Sequence, residues 1–167
     1  MNYFLHLVVY FEIYVITAMS LNLLTGYCGL FTLAHASFFA VGAYTLALSR
    51  LVLGLDFATA ALLSLVVSAV LSLFVSLPAW RFRGDYFVLM SLAAATMIQS
   101  VLHNWTSPGE PVGSLANLTN GPFGISGIAK PGIAGLVFTP LPAIALVYGF
   151  VALVCAAAVF ALVSSAW

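Results

Sequence analysis

The stretch Phe57-Ala58-Thr59-Ala60-Ala61-Leu62-Leu63-Ser64-Leu65-Val66-Val67-Ser68-Ala69-Val70-Leu71-Ser72-Leu73-Phe74-Val75-Ser76-Leu77 decides the fold. No charged side chain interrupts it, and its only side-chain polar groups are the hydroxyls of Thr59, Ser64, Ser68, Ser72 and Ser76. A helix crossing the roughly 30 Å hydrocarbon core of a bilayer needs about 20 mostly apolar residues, because each residue rises about 1.5 Å. The run is continuously apolar and lacks the period-two alternation of a barrel strand. It reads as a transmembrane helix, in which every backbone group is satisfied within the segment.

On either side lie four more windows of the same kind, at residues 3–24, 33–53, 86–102 and 141–163. The expected fold is all-α: a polytopic membrane helix bundle of about five transmembrane helices, forming a single transmembrane domain over residues 1–167. Composition agrees, since 64% of the residues are hydrophobic and only 5% charged, against about 25% charged in a typical soluble domain. With so little polar surface, the apolar residues cannot all face inward and must meet lipid. The formal net charge is zero, and no basic stretch could neutralise a run of phosphates, which excludes nucleic acid as a partner. Cys28 and Cys155 have no second Cys or close His at metal-ligand spacing and read as small apolar fillers. The first window has no Lys or Arg before it and no small-residue cleavage site after it, so a retained helix is expected rather than a signal peptide.

The connections carry turn residues. Gly26 and Gly29 flank the first, Gly54-Leu55-Asp56 forms the second, and residues 78–85 form the third. The fourth, residues 103–140, differs in kind, with five of the chain's seven prolines and a dense scatter of Gly, Asn, Ser and Thr. A loop of that length is usually functional or disordered. Short connections orient a membrane protein through their positive charges. Arg81 and Arg83 outweigh Arg50 on the opposite side, so the expectation is an inner surface at Arg81 and Arg83, with the N-terminus and the long Gly/Pro-rich loop outside.

Few residues offer chemistry. Glu12 lies near the middle of the first window, where an ionised side chain facing lipid would cost several kcal/mol. It must therefore face protein or water, as part of a solute pathway, as a hydrogen-bonded packing residue, or close to the interface on a displaced helix. Ala36, Ala40, Ala43 and Ala47, and likewise Ser64, Ser68, Ser72 and Ser76, recur every third or fourth residue, as in seams where helices approach closely. Gly124-Ile125-Ser126-Gly127 imitates the nucleophile motif of intramembrane serine proteases, with His35 or His103 as an imaginable base. Lys130-Pro131-Gly132 then stops any apolar helix that would hold Ser126 within the bilayer. No His-Glu-x-x-His pattern, no paired acids and no phosphate loop occur, so metal, acid–base and nucleotide sites are unsupported on this chain.

Three blocks carry a resemblance. Residues 21–45, Leu-Asn-Leu-Leu-Thr-Gly-Tyr-Cys-Gly-Leu-Phe-Thr-Leu-Ala-His-Ala-Ser-Phe-Phe-Ala-Val-Gly-Ala-Tyr-Thr, resemble the signature of the branched-chain amino acid ABC transporter permeases of the LivM type. Arg81-Phe82-Arg83-Gly84-Asp85-Tyr86-Phe87 looks like that family's Arg-x-Arg-Gly-x-Tyr-Phe block, and residues 118–128 look like its Gly-Pro-x-Gly loop. Order and spacing agree across nearly the whole chain.

The resemblance implies an ATP-driven importer of branched-chain or other hydrophobic amino acids in a bacterial inner membrane. It would comprise this permease, a second permease subunit, two cytoplasmic ATPase subunits that bind the ATP, and an extracytoplasmic solute-binding protein. No cofactor would be bound by this chain. Asn22, Gly26, Tyr27, His35, Ser37 and Tyr44 are the candidate solute-pathway residues. For Asn22, His35, Ser37 and Tyr44, closing backbone hydrogen bonds at the bend is an equal alternative. Asn120, Gly121, Pro122 and Gly124 would lie in the loop facing the binding protein. Family members continue beyond a fifth helix into an ATPase-docking loop, so the chain looks like the N-terminal part of such a permease. Other readings are a urea or short-amide permease of the same superfamily, a non-transporting assembly subunit, and an intramembrane serine hydrolase.

Overall fold

The computed structural model describes residues 2–27, 29–77, 81, 84–128, 132–133, 136–137, 149, 153 and 156–157. Among them are four α-helices: α1 (Asn2–Asn22), α2 (His35–Leu51), α3 (Phe57–Ser76) and α4 (Asp85–Asn104). A π-turn (Leu23–Tyr27) extends α1, and a single 3-10 turn covers Gly121–Phe123. Two short strands, β1 (Gly132–Ile133) and β2 (Leu136–Val137), pair with each other. Among the described residues three segments are long and apolar enough to cross a membrane: Tyr3–Tyr27, Phe57–Ser76 and Asp85–Asn104. The fifth expected window, residues 141–163, lies outside the described residues except for Gly149, Leu153, Ala156 and Ala157, which are helical.

The chain divides into two compact units, one of Met1–Leu30 with Val137–Trp167 and one of Phe31–Leu136. In the first, α1 turns its bulk outward: Tyr3, Phe4, Leu7, Tyr10, Phe11 and Tyr14 are all more than half exposed. Thr17 and Thr25 return their hydroxyls to the carbonyls of Ile13 and Leu21, at 2.8 and 3.0 Å, which satisfies both hydroxyls within the segment. At the π-turn Gly26 lies against Asn22, where an added Cβ would sit 3.3 Å from Oδ1.

The second unit is built from α2 and α3, joined by residues 52–56. Gly54 at φ +59 supplies the left-handed turn that a short helical hairpin needs. Asp56, in an extended conformation, accepts the Ala60 amide at 2.9 Å and starts α3. The two helices meet where Gly42 faces Ser64 and Ser68. Ser64 Oγ donates to the Gly42 carbonyl at 2.8 Å, and a Cβ on Gly42 would come within 3.1 Å of Ser68 Oγ. Close approach of backbones with a hydroxyl across the contact is the packing mode of helices in lipid, each such bond contributing about 0.6 kcal/mol. The expected serine seam is half realised. Ser72 and Ser76 instead donate to Ala69 and Leu73 of their own helix, at 2.8 and 3.0 Å, on an exposed face. At the far end of α2, the Arg50 guanidinium lies 5.8 Å from the centre of the Phe57 ring, within cation–π range.

Helix α2 has 17 residues, shorter than its apolar window, because the backbone before it is committed elsewhere. The Leu33 amide donates to Ser91 Oγ at 3.0 Å and the Ala34 amide to Thr32 Oγ1 at 3.2 Å. Ser91, 1% exposed, passes its own proton to the Val88 carbonyl at 2.8 Å. Non-helical backbone is tolerated at membrane depth only when protein satisfies it in this way.

The buried residues are small or polar, namely Ala34, Ala47, Ala60, Gly121, Thr32, Ser37, Ser49, Ser91, Asn117 and Thr119, with Phe87 the one bulky addition among the described residues. Large apolar side chains such as Leu62, Leu65, Leu73, Phe74, Leu89 and Met97 point outward. A water-soluble protein buries the large apolar groups first. The inverted arrangement is what a hydrocarbon solvent requires.

Candidate functional site

Helices α2 and α4 run parallel. Leu33 bonds to Ser91 and Ser37 Oγ reaches the Ala95 carbonyl at 3.4 Å, both pairs separated by 58 residues. Continued along the helices, that register sets Ala40 opposite Ile98 and Tyr44 opposite Leu102. At and beyond the Ser37 tie the helices line a half-open cavity of about 350 Å³ with Gly121 at its rim, at the small end of the range for small-molecule pockets; Ala36, Gln99 and His103 stand exposed at its mouth. Ala36, Ala40, Ile98 and Leu102 supply its aliphatic wall, and Ser37, Tyr44, Gln99 and His103 its hydrogen-bonding groups. Among the described residues no Asp, Glu, Lys or Arg lines it.

Gly121 reaches this position because residues 105–124 are tied to the end of α4. Thr119, 1% exposed, donates its hydroxyl to the carbonyls of Leu102 and Trp105, at 2.6 and 3.1 Å, and accepts the Gly121 amide at 3.4 Å. The Leu102 carbonyl belongs to the last turn of α4 and the Trp105 carbonyl to the residue that caps it, where no intrahelical donor remains. Gly121 has φ +52, and a Cβ there would stand 2.7 Å from the His103 carbonyl oxygen. Only glycine fits both demands. Asn120 sits at φ 60 and donates its side-chain amide to the Gly124 carbonyl at 2.9 Å, a local bond that helps asparagine occupy the left-handed region. Farther along, Trp105 Nε1 donates to Leu115 O at 2.9 Å and Asn117 Nδ2 to Glu110 O at 2.8 Å. Gly113 packs so tightly on Val52 that a Cβ would overlap that side chain, tying the loop to the α2–α3 turn.

Of the residues singled out in the sequence, Ser37, Tyr44 and Gly121 meet in this cavity. His35 is half-buried at the first position of α2 and lies outside the lining. Asn120 and Pro122 flank Gly121 on the rim, and Gly124 follows the 3-10 turn. Asn22, Gly26 and Tyr27 belong to the first unit, at the π-turn. Glu12 is in the same unit, where a Cβ on Gly149 would be 3.0 Å from its Oε1. Its other oxygen, Oε2, is buried and has no hydrogen-bond partner among the described residues. Arg81 is exposed in the turn before α4, while Arg83 and Lys130 lie outside the described residues. Ser126 is exposed and outside the cavity.

Sequence reasoning passed over Gln99 as a cavity residue and weighed His103 only as a base. The signal was present, since Gln99 is an amide inside an apolar window and stands one turn from His103.

The model of the family described as "branched-chain amino acid transport system / permease component" matches residues 3–166. The chain belongs to this family. It is a family of transport permeases, not of enzymes. Among curated relatives, the high-affinity branched-chain amino acid transport system permease protein LivM of Salmonella typhimurium is 37% identical over 127 residues, and that of Escherichia coli strain K12 is 35% identical over 127 residues. Each alignment covers 76% of this chain and 28% of the relative. The chain therefore spans under a third of the length of the relatives it matches. No solved structure matches it.

Proposed function

We propose that this chain forms part of the membrane-embedded subunit of an ATP-driven importer of branched-chain amino acids, and that the α2–α4 cavity belongs to the solute pathway. The observation that carries this reading is the pairing of four aliphatic side chains with the hydrogen-bonding side chains of Ser37, Tyr44, Gln99 and His103 in a single cavity of a permease-family chain. Among the described residues the lining offers no carboxylate, ammonium or guanidinium to pair with a charged solute side chain, whereas its hydrogen-bonding groups can serve the head group that every amino acid carries. A neutral aliphatic amino acid uses both halves of the lining. Urea has no apolar part to place against Ala36, Ala40, Ile98 and Leu102, so it fits the cavity less well.

In the proposed arrangement five helices cross a bacterial inner membrane, with the Gly/Pro-rich loop outside and Arg81 and Arg83 inside. Asn120, Gly121, Pro122 and Gly124 face an extracytoplasmic solute-binding protein. A second permease subunit and two ATPase subunits complete the complex, and the ATPases hold the nucleotide. Asn22, Gly26, Tyr27 and His35 act at the bend between the first two helices, either along the pathway or in closing its backbone. Glu12 faces protein or water rather than lipid. The experiment is uptake of labelled leucine and labelled urea by cells carrying the complete transporter, with and without this chain. Loss of leucine uptake alone on deletion is expected, whereas loss of urea uptake with normal leucine uptake would refute the choice of solute.

A further inference from the structure

The register of α2 against α4 assigns different tasks to different residues of the cavity. The two helices are held together at Leu33–Ser91 and Ser37–Ala95, and the space opens one turn later, where Ala40 falls opposite Ile98. Each helix offers an aliphatic pair one turn apart, Ala36 with Ala40 and Ile98 with Leu102. Gln99 and His103 stand one turn apart beside the second pair. Residues four apart lie on one face of a helix, and a step of one residue rotates by about 100°. The lining of α4 is thus an aliphatic row with a polar row alongside it.

We propose that this is a binding site for the amino acid in transit, in which Gln99 and His103 hydrogen-bond the α-amino and α-carboxylate groups while Ala36 and Ala40 fix the space for the aliphatic side chain. The inference rests on the transport reading given above and adds the residues that determine specificity. An amide is suited to the head group because it presents both a carbonyl acceptor for the ammonium and an NH₂ donor for the carboxylate. His103, one turn away on the same row, adds a ring nitrogen to the lining. Alanine at both positions of the α2 row leaves room where a larger residue would meet Ile98.

Size selection by such a wall is sharp. One methylene too many or too few in a hydrophobic pocket changes discrimination by about ten- to two-hundredfold. Loss of a head-group partner acts differently, because every α-amino acid carries the same head. The two kinds of substitution therefore give separable signatures.

The test is labelled uptake of leucine and of alanine into proteoliposomes holding the complete transporter with this chain in it. The solute-binding protein is kept the same throughout, so its own preference cancels when variant and parent are compared. Ala40→Leu is expected to lower the leucine-to-alanine ratio of kcat/KM at least about tenfold. Gln99→Leu is expected to lower uptake of both solutes by the same factor, leaving their ratio unchanged. An Ala40→Leu variant that affects leucine and alanine equally, or a Gln99→Leu variant with parental uptake of both, would overturn the proposal. If Ala40→Leu does not assemble, Ala40→Val carries the same ratio test with a smaller expected change. A parent complex that takes up no leucine would refute the transport reading itself, a result distinct from either variant outcome.

Discussion

Replacing Gly121 by alanine tests whether the loop closes on the end of α4 as described. Two costs combine at this position. An L-residue at φ +52 loses about 1–2 kcal/mol relative to its preferred conformations. The new Cβ would also lie 2.7 Å from the His103 carbonyl oxygen and 3.0 Å from Thr106 Cγ2, and relieving such overpacking costs about 1–3 kcal/mol. The total is about 2–5 kcal/mol, enough to release the Thr119–Gly121 segment from Leu102 and open the cavity rim. Gly54→Ala is the matched control, because Gly54 has φ +59 and no atom within 4 Å of its built Cβ, so it bears the conformational cost alone. Thermal denaturation of the detergent-solubilised complex should rank parent, Gly54→Ala and Gly121→Ala in falling order, and leucine uptake should drop most in the last. Equal stability of the two variants would show that Gly121 does not abut His103, and the description of the rim would be wrong.

Three further outcomes follow from the same geometry. Ser91→Ala removes the acceptor of the Leu33 amide and should destabilise by about 1–3 kcal/mol, with faster hydrogen exchange at Leu33; unchanged exchange there would contradict the bond. Asn120→Val should cost about 2 kcal/mol, because a β-branched residue is poorly suited to φ 60 and cannot donate to Gly124, while Asn120→Gly should cost less; thermal midpoints decide the order. With Cys28 and Cys155 replaced by alanine, a membrane-impermeant maleimide applied to intact cells should label Ser126→Cys and not Arg81→Cys. The reverse pattern would invert the proposed orientation.

The membrane helices were legible because hydrocarbon imposes a length and a composition. The stretch at residues 57–77 has only to be apolar for about 20 residues, and α3 is the result. Helix ends were less legible. Residues 33 and 34 are as apolar as those that follow, yet their amides go to Ser91 and Thr32, and the hydroxyl of Ser91 that captures one of them lies 58 residues away. Spacing alone showed that Ser64, Ser68, Ser72 and Ser76 share a face, but not that Gly42 makes a contact only at Ser64 and Ser68. The rim of the cavity was the least legible part. Gly121 and Thr119 belong to a quoted motif, but their place over the last turn of α4 depends on free carbonyls whose positions no periodicity encodes. Gln99 and His103 become cavity residues only once the parallel register of α2 and α4 is known.

The claim on which the account depends is that an aliphatic amino acid passes between α2 and α4. Irradiating the complete transporter during leucine uptake with a diazirine analogue of leucine, followed by peptide mapping, tests it directly. Adducts confined to residues 36–44 and 98–103, and abolished by excess leucine, are the predicted result. Adducts elsewhere on this chain, or adducts that excess leucine does not displace, would contradict it.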